Sequence, residues 1–267
     1  MTAGIQGAPG THRVGWADRL VDHLIVIGAL GRREVYTRFG QNILGYGWTY
    51  VVPLLWIGGT YAVFTFVGRR SPVYTDLITF IISGLIPFLG FRLGLGGMGR
   101  VNGAVRGLVI FPGVTREHAA IAISIVELAN TFVVFAVVAL LNLAIFGNWE
   151  LDQALKFIAG VALAWGLGAA FGYLLSTLAL INVTLHHVGL QLTRPAIFLS
   201  GIFYVANELP ESILTIFAKN PILHAVEFAR DGMLFHYQSR VAEPSYVLLW
   251  IAILLGLAML VRIVRRG

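Results

Sequence analysis

Six times along this chain the polar residues give way to an apolar run of about twenty residues, the length a helix needs to cross a hydrocarbon core. The runs lie near residues 48–67, 77–97, 119–146, 157–181, 190–206 and 246–263. Over the whole chain 57% of residues are hydrophobic, 12% are charged and mean hydropathy is +0.80. A soluble domain carries roughly a quarter charged residues, and 267 residues are too few to bury so much apolar surface in one aqueous core. The expected fold is an all-α polytopic membrane protein with six transmembrane helices. Residues 1–47 read as a cytoplasmic N-terminus and 48–267 as the six-span domain. The fifth run is the shortest and carries Arg194 and Pro195 near its start.

An even number of spans puts both termini on one side, and the basic residues choose the side. With the N-terminus inside, twelve arginines fall in inner segments and six lysines and arginines in outer ones; Arg92, within a span, completes the 19. The positive-inside bias then places both termini of this multi-pass chain in the cytoplasm. The same bias accounts for the net charge of +6 better than nucleic-acid binding does, because the charges are scattered and form no stripe. Absent cysteine removes disulfides, thiolate chemistry and cysteine-ligated metals. The N-terminal MTAGIQGAPGTHRVG has no apolar run ending in a cleavage site, so no cleaved signal peptide is expected.

Three segments between the spans invite structure of their own. From Trp16 to Tyr36 the apolar Trp16, Leu20, Leu24, Ile27 and Leu30 recur at intervals of three and four, the pattern of an amphipathic helix lying in the cytoplasmic interface. The inner loop 98–118 carries Arg100, Arg106, Arg116, Glu117 and His118. The outer segment 207–245 has room for two short helices broken at Asn220-Pro221, since the residue before proline resists the α conformation. Small residues spaced Gly90/Gly94 and Gly168/Gly172 favour close helix packing. No internal repeat is visible, which lowers the case for an inverted-repeat transporter.

Motifs for covalent chemistry are missing or misplaced. Gly94, Gly96 and Gly99 spell GxGxxG, but the dinucleotide fingerprint must follow a strand, and here it ends a membrane span. There is no GxxxxGK[ST], so ATP has no P-loop in this chain; HExxH and GxSxG are absent as well. His224 and Glu227 are at most half a metal site and read better as a polar helix face; no metal is expected. His186 and His187 read as solvated. Arg92 and Glu127, each inside a span, fall at depths differing by only ~5 Å by residue count. They form an intramembrane ion pair, or else Arg92 snorkels while Glu127 faces a cavity between helices.

Read together, Arg33-Glu34-Val35-Tyr36-Thr37-Arg38-Phe39-Gly40, the following Asn42-Ile43-Leu44-Gly45-Tyr46-Gly47-Trp48 and Pro53 resemble the start of the permeases of type-2 ABC exporters. Ser83-Gly84-Leu85-Ile86-Pro87-Phe88, Phe111-Pro112, Ser200-Gly201-Ile202-Phe203-Tyr204, Leu209-Pro210 and Asn220-Pro221-Ile222-Leu223-His224 with Glu227 and Arg230 follow in the family's order. The last block and the arginine-rich start are most similar to the capsular-polysaccharide branch. The resemblance covers about residue 30 to the end.

It implies a transport subunit that is not itself an enzyme, paired with a second copy of itself. ATP and magnesium would be bound by a separate ABC ATPase, and this chain would need no cofactor. The cargo would be a lipid-linked capsular polysaccharide, passed to a periplasmic co-polymerase and an outer-membrane channel, and the short helices between spans five and six would be periplasmic. Contacts to the ATPase would come from the N-terminal helix (Arg32, Arg33, Glu34) and the inner loop (Arg106, Arg116, Glu117). Neighbouring alternatives are an O-antigen or other glycan exporter, a small-molecule exporter of the same fold, and a membrane enzyme; the last would need polar residues clustered at one depth.

In the same family the first and fifth spans line the passage. Aromatic rings suit a sugar polymer there, because they offer flat apolar area to C–H faces without strong hydrogen bonds. The expected channel residues are Trp56, Tyr61 and Phe64 from the first span with Phe198, Phe203 and Tyr204 from the fifth. Trp48, Tyr50 and Phe66, at the ends of the first span, are better explained as an interfacial belt.

Overall fold

The computed structural model describes residues 16–41, 43–106, 113–147 and 149–266, with backbone alone at 17–18, 38–41, 43–46 and 266. Residues 1–15, Asn42 and the Phe111-Pro112 pair lie outside these. The described residues form helices and connections with no strand. Their order is α1 (Trp16–Gln41), α2 (Ile43–Phe66), α3 (Leu77–Gly99), α4 (Val101–Arg106), α5 (Arg116–Phe146), α6 (Ala154–Leu178), α7 (Val183–Leu192), α8 (Ala196–Leu199), α9 (Glu211–Phe217), α10 (Pro221–Met233) and α11 (Pro244–Arg266).

Local chemistry sets the boundaries. Asp76 caps α3 by accepting from the Thr79 amide at 3.0 Å. Thr115 and His118 form a reciprocal capping box at the start of α5, which Gly147 ends in the left-handed region at φ 70°. Asn220 caps α10 by accepting from the Ile222 amide at 3.0 Å, with Pro221 in the first turn where its missing N–H costs nothing. Residues 207–245 thus carry two short helices, α9 and α10, broken at Asn220-Pro221.

Among the described residues, five helices are long and apolar enough to cross a membrane: α2, α3 (continuing through α4), α5, α6 and α11. The run 190–206 is not among them. Pro195 supplies no N–H and Gly201 turns left-handed at φ 72°, so the segment divides into α7, a turn at Thr193–Pro195 and the single turn of α8. The expected continuous fifth helix is thus corrected to a broken segment.

The centre is α3 against α6. The two GxxxG pairs of the sequence meet each other here: a Cβ on Gly168 would strike the Phe91 carbonyl, one on Gly172 the Leu95 carbonyl, and one on Gly94 the Trp165 carbonyl. Glycine at all three lets the backbones approach this closely. α10 packs across both helices, α11 lies along α6, α5 along α3, and α1 along the first part of α5. α2 stands apart, with 11% of its membrane window buried against 78% for α3. Its sparse contact with α3 leaves a long opening between them.

Candidate functional site

That opening is a groove made of two adjoining hollows, of about 810 and 640 Å³, which share Trp56, Phe198 and Phe203. One wall is a single face of α2, where Thr49, Val52, Trp56, Thr60 and Val63 recur at three and four. The second wall is α3 through Leu85, Phe88, Leu89 and Arg92, and the third is the broken segment through Arg194, Ile197, Phe198 and Phe203. The lining is mostly apolar and aromatic. Trp56 and Phe198 stay 48% and 65% exposed, open to the groove. Phe203 lies 6.0 Å from Phe64 and 5.8 Å from Phe198, centroid to centroid, forming a small aromatic cluster.

Cations sit at both ends of this apolar surface. Arg92 and Arg194 line the first hollow and are exposed, with no ion-pair or hydrogen-bond partner among the described residues. Arg69 closes the second hollow, stacking over Phe64 at 4.6 Å and donating to the Phe203 carbonyl at 2.5 Å.

A non-helical wall leaves carbonyls that need donors, and arginines supply them. Arg230 is fully buried and donates from Nη2 to the Gly201 carbonyl at 2.6 Å and from Nη1 to the Tyr204 carbonyl at 3.1 Å. Its Nε reaches Ser83 Oγ of α3 at 3.2 Å, and Nη1 pairs with Glu227 Oε1 at 2.5 Å. Glu227 in turn accepts from the Tyr237 hydroxyl at 2.5 Å and the Ser239 hydroxyl at 2.8 Å. Burial, and then the Glu227 carboxylate, push the Tyr237 phenol above its ordinary range, which keeps it a donor. Arg230 thus holds the backbone on both sides of Phe203 while fastening α10 to α3. His224 Nε2 contacts the Ala218 carbonyl at 2.7 Å and Glu227 pairs with Arg230, so the two are buried within the packing of α10 and form no exposed polar face.

Of the six expected channel residues the groove brings together four: Trp56, Phe64, Phe198 and Phe203. Tyr61 faces α5 instead, edge-on to Phe146 at 5.6 Å. Positions three apart differ by about 60° around a helix, enough here to separate Tyr61 from Phe64. Tyr204 turns away under α9, 5.7 Å from Phe217.

The Arg92–Glu127 pair is replaced. Glu127 stands level with Gly97, whose Cβ would meet its Cγ at 2.5 Å, and it pairs with Arg100. Arg92 lies about 140° around α3 from Gly97, whereas Arg100 lies about 60° away. Depth alone matched Arg92 to Glu127; the direction around the helix separates them.

The residues expected to meet an ATPase gather at one end. Arg33 and Glu34 of α1 share a pocket with Ala104 of α4 and Ala119 of α5; Arg32 and Arg106 are exposed nearby in sequence to these. Arg116 and Glu117 open α5 but have partners within the chain. Arg116 donates to Asn102, Thr177 and Ser176, and Glu117 pairs with Arg262.

Similarity to known proteins runs along most of the chain. It is 25% identical over 242 residues to the polysialic acid transport protein KpsM of Escherichia coli, covering 88% of this chain and 92% of that one. It is 26% identical over 259 residues to the capsule polysaccharide export inner-membrane protein CtrC of Neisseria meningitidis, covering 94% and 96%. With the O-antigen export system permease protein RfbA of Myxococcus xanthus it shares 24% identity over 238 residues, covering 84% and 88%. No protein-family model matches the chain.

Proposed function

We propose that this chain is the membrane subunit of an ATP-driven exporter that moves a lipid-linked capsular polysaccharide across the inner membrane along the aromatic groove. The observation that carries the reading is the groove itself, together with the similarity to a polysialic acid transport protein and to a capsule polysaccharide export inner-membrane protein. Non-helical backbone at membrane depth is tolerated only where protein or a water-filled cavity covers it. Here the irregular wall at 193–204 borders a groove whose rings suit sugar C–H faces and whose arginines suit an anionic group on the cargo.

In this reading the broken segment makes the fifth of six crossings, ahead of α11. His186 lies 3.3 Å from a Cβ built on Gly99, and Ile202 lies 3.1 Å from one on Gly84, so residues 186 to 202 run the length of α3 between those glycines. Both termini then face the cytoplasm and α9 and α10 face the periplasm. Cysteines at Ser71 and Gln238 should react with an impermeant thiol reagent from outside, and one at Thr11 should not. Labelling of the Thr11 variant in intact cells would reverse the orientation.

The partners follow from the same reading: a second copy to close the groove, and an ABC ATPase binding ATP and magnesium at the end where α1, α4 and the start of α5 meet. α1 would lie in the cytoplasmic interface. A periplasmic co-polymerase and an outer-membrane channel would take the polymer onward. O-antigen export is the second reading, favoured by the similarity to RfbA; the polymer that vanishes from the surface on deleting the gene distinguishes the two.

Substitution within the groove tests the pathway. Trp56→Ala and Phe203→Ala should each cut surface polymer severalfold at unchanged membrane level, because alanine removes most of the ring's apolar area and covering such area contributes about 25 cal/mol per Å². Tyr61→Ala, facing α5, should leave export near normal. Normal export in both groove variants refutes the pathway.

A further inference from the structure

Away from the groove, the start of α5 and the ends of α6 and α11 surround a pocket of about 300 Å³ lined by Arg116, Thr177, Leu180, Val261, Arg262 and Arg265. Three guanidinium groups in one small pocket repel each other, so the chain must hold them there. Arg116 is held most firmly. Its Nε donates to Asn102 Oδ1 at 3.0 Å, Nη1 to Thr177 Oγ1 at 3.1 Å and Nη2 to Ser176 Oγ at 2.7 Å, while the Tyr173 ring lies 4.6 Å away. Asn102 is itself fixed by donating to the Ser176 carbonyl at 2.5 Å.

Every one of those partners is neutral. They aim the group without cancelling its charge, and a guanidinium has five N–H bonds, so two on Arg116 are left over. Arg262 pairs with Glu117 and donates to the Tyr173 hydroxyl at 3.3 Å. Arg265 is exposed with no partner among the described residues. Among the described residues, the three cations lining the pocket meet one carboxylate, Glu117, which leaves this lining in positive excess. Arginine forks match the oxygens of a phosphate group.

We propose that this pocket binds the phosphate of an anionic phospholipid from the membrane leaflet at that end of the helices. The remaining lining, Leu180 and Val261, is apolar, and α11 continues it with exposed Leu257, Leu260, Ile263 and Val264. A headgroup in the pocket would therefore leave its acyl chains against an apolar helix face. Basic pockets between membrane helices at the cytoplasmic surface take such headgroups. The proposal rests on the membrane placement of α6 and α11, and holds whatever cargo the groove carries.

Thermal unfolding of the full chain in detergent, titrated with defined lipids, tests it. Phosphatidylglycerol should raise the midpoint saturably, while phosphatidylcholine and inorganic phosphate should not. Arg265→Gln, which breaks no hydrogen bond or ion pair among the described residues, should weaken the apparent phosphatidylglycerol affinity roughly tenfold, and Arg265→Lys should keep most of it. Arg19→Gln, an exposed charge on α1, should change the affinity less than about twofold. Equal stabilisation by phosphatidylcholine, an unaltered affinity in Arg265→Gln, or an equal loss in Arg19→Gln overturns the site. A full shift from inorganic phosphate alone assigns the pocket to a soluble anion and overturns the lipid.

Discussion

Arg92→Glu should abolish surface polymer while the chain accumulates normally in the membrane. Arg92 is exposed to the groove and holds nothing else in place, so its loss spares the fold. Among the described residues, the other charged group lining the first hollow is Arg194. A carboxylate at position 92 would be drawn to Arg194 and would cancel the cationic end of the groove. Losing a charge-assisted hydrogen bond costs about 1.5–3 kcal/mol, and opposing an anionic cargo adds to it, so export should fall roughly 100-fold. Surface polymer, measured by immunoassay and normalised to membrane level, reads the effect, and Arg92→Lys should retain much of the activity. Export unchanged in Arg92→Glu removes Arg92 from the pathway.

Arg230→Met should be the most damaging single change to folding. It leaves Glu227 fully buried without its countercharge and strips donors from the Gly201 and Tyr204 carbonyls. Breaking a buried pair from one side costs about 3–5 kcal/mol, a large part of the 5–15 kcal/mol that typically holds a protein folded. Detergent-extracted variant should elute mostly as aggregate on size-exclusion chromatography. Pairing it with Glu227→Leu should recover part of the folded peak, because the orphaned charge is gone. A monodisperse single variant with wild-type melting would show that the pair is dispensable.

Long-period information was legible in the sequence. Apolar run length gave the five long helices, and Asn220-Pro221 gave the split between α9 and α10. Gly168/Gly172 and Gly90/Gly94 marked close packing, though not that the two sets face each other. Run length failed at 190–206, where hydropathy is blind to the interruption by Pro195 and Gly201. Counting depth along a span also failed, because it ignores direction: it joined Arg92 to Glu127. The Glu227–Arg230 spacing of three was a readable helical ion pair. Its reach to Ser83, 147 positions away, depends on the packing of α10 on α3 and leaves no local trace. Arg116 looked like a surface charge for the same reason; only the assembled ends of α4 and α6 turn it inward.

The isolation of α2 has a topological consequence. A closed pore must be threaded, and threading requires the traveller to present a free end. A trench with an open flank can instead be loaded sideways, from any point along a strand, and it sets no upper limit on how long that strand is. Closing the flank afterwards needs only a swing of one sparsely attached helix or the approach of a neighbouring surface, with the α3–α6 core left undisturbed.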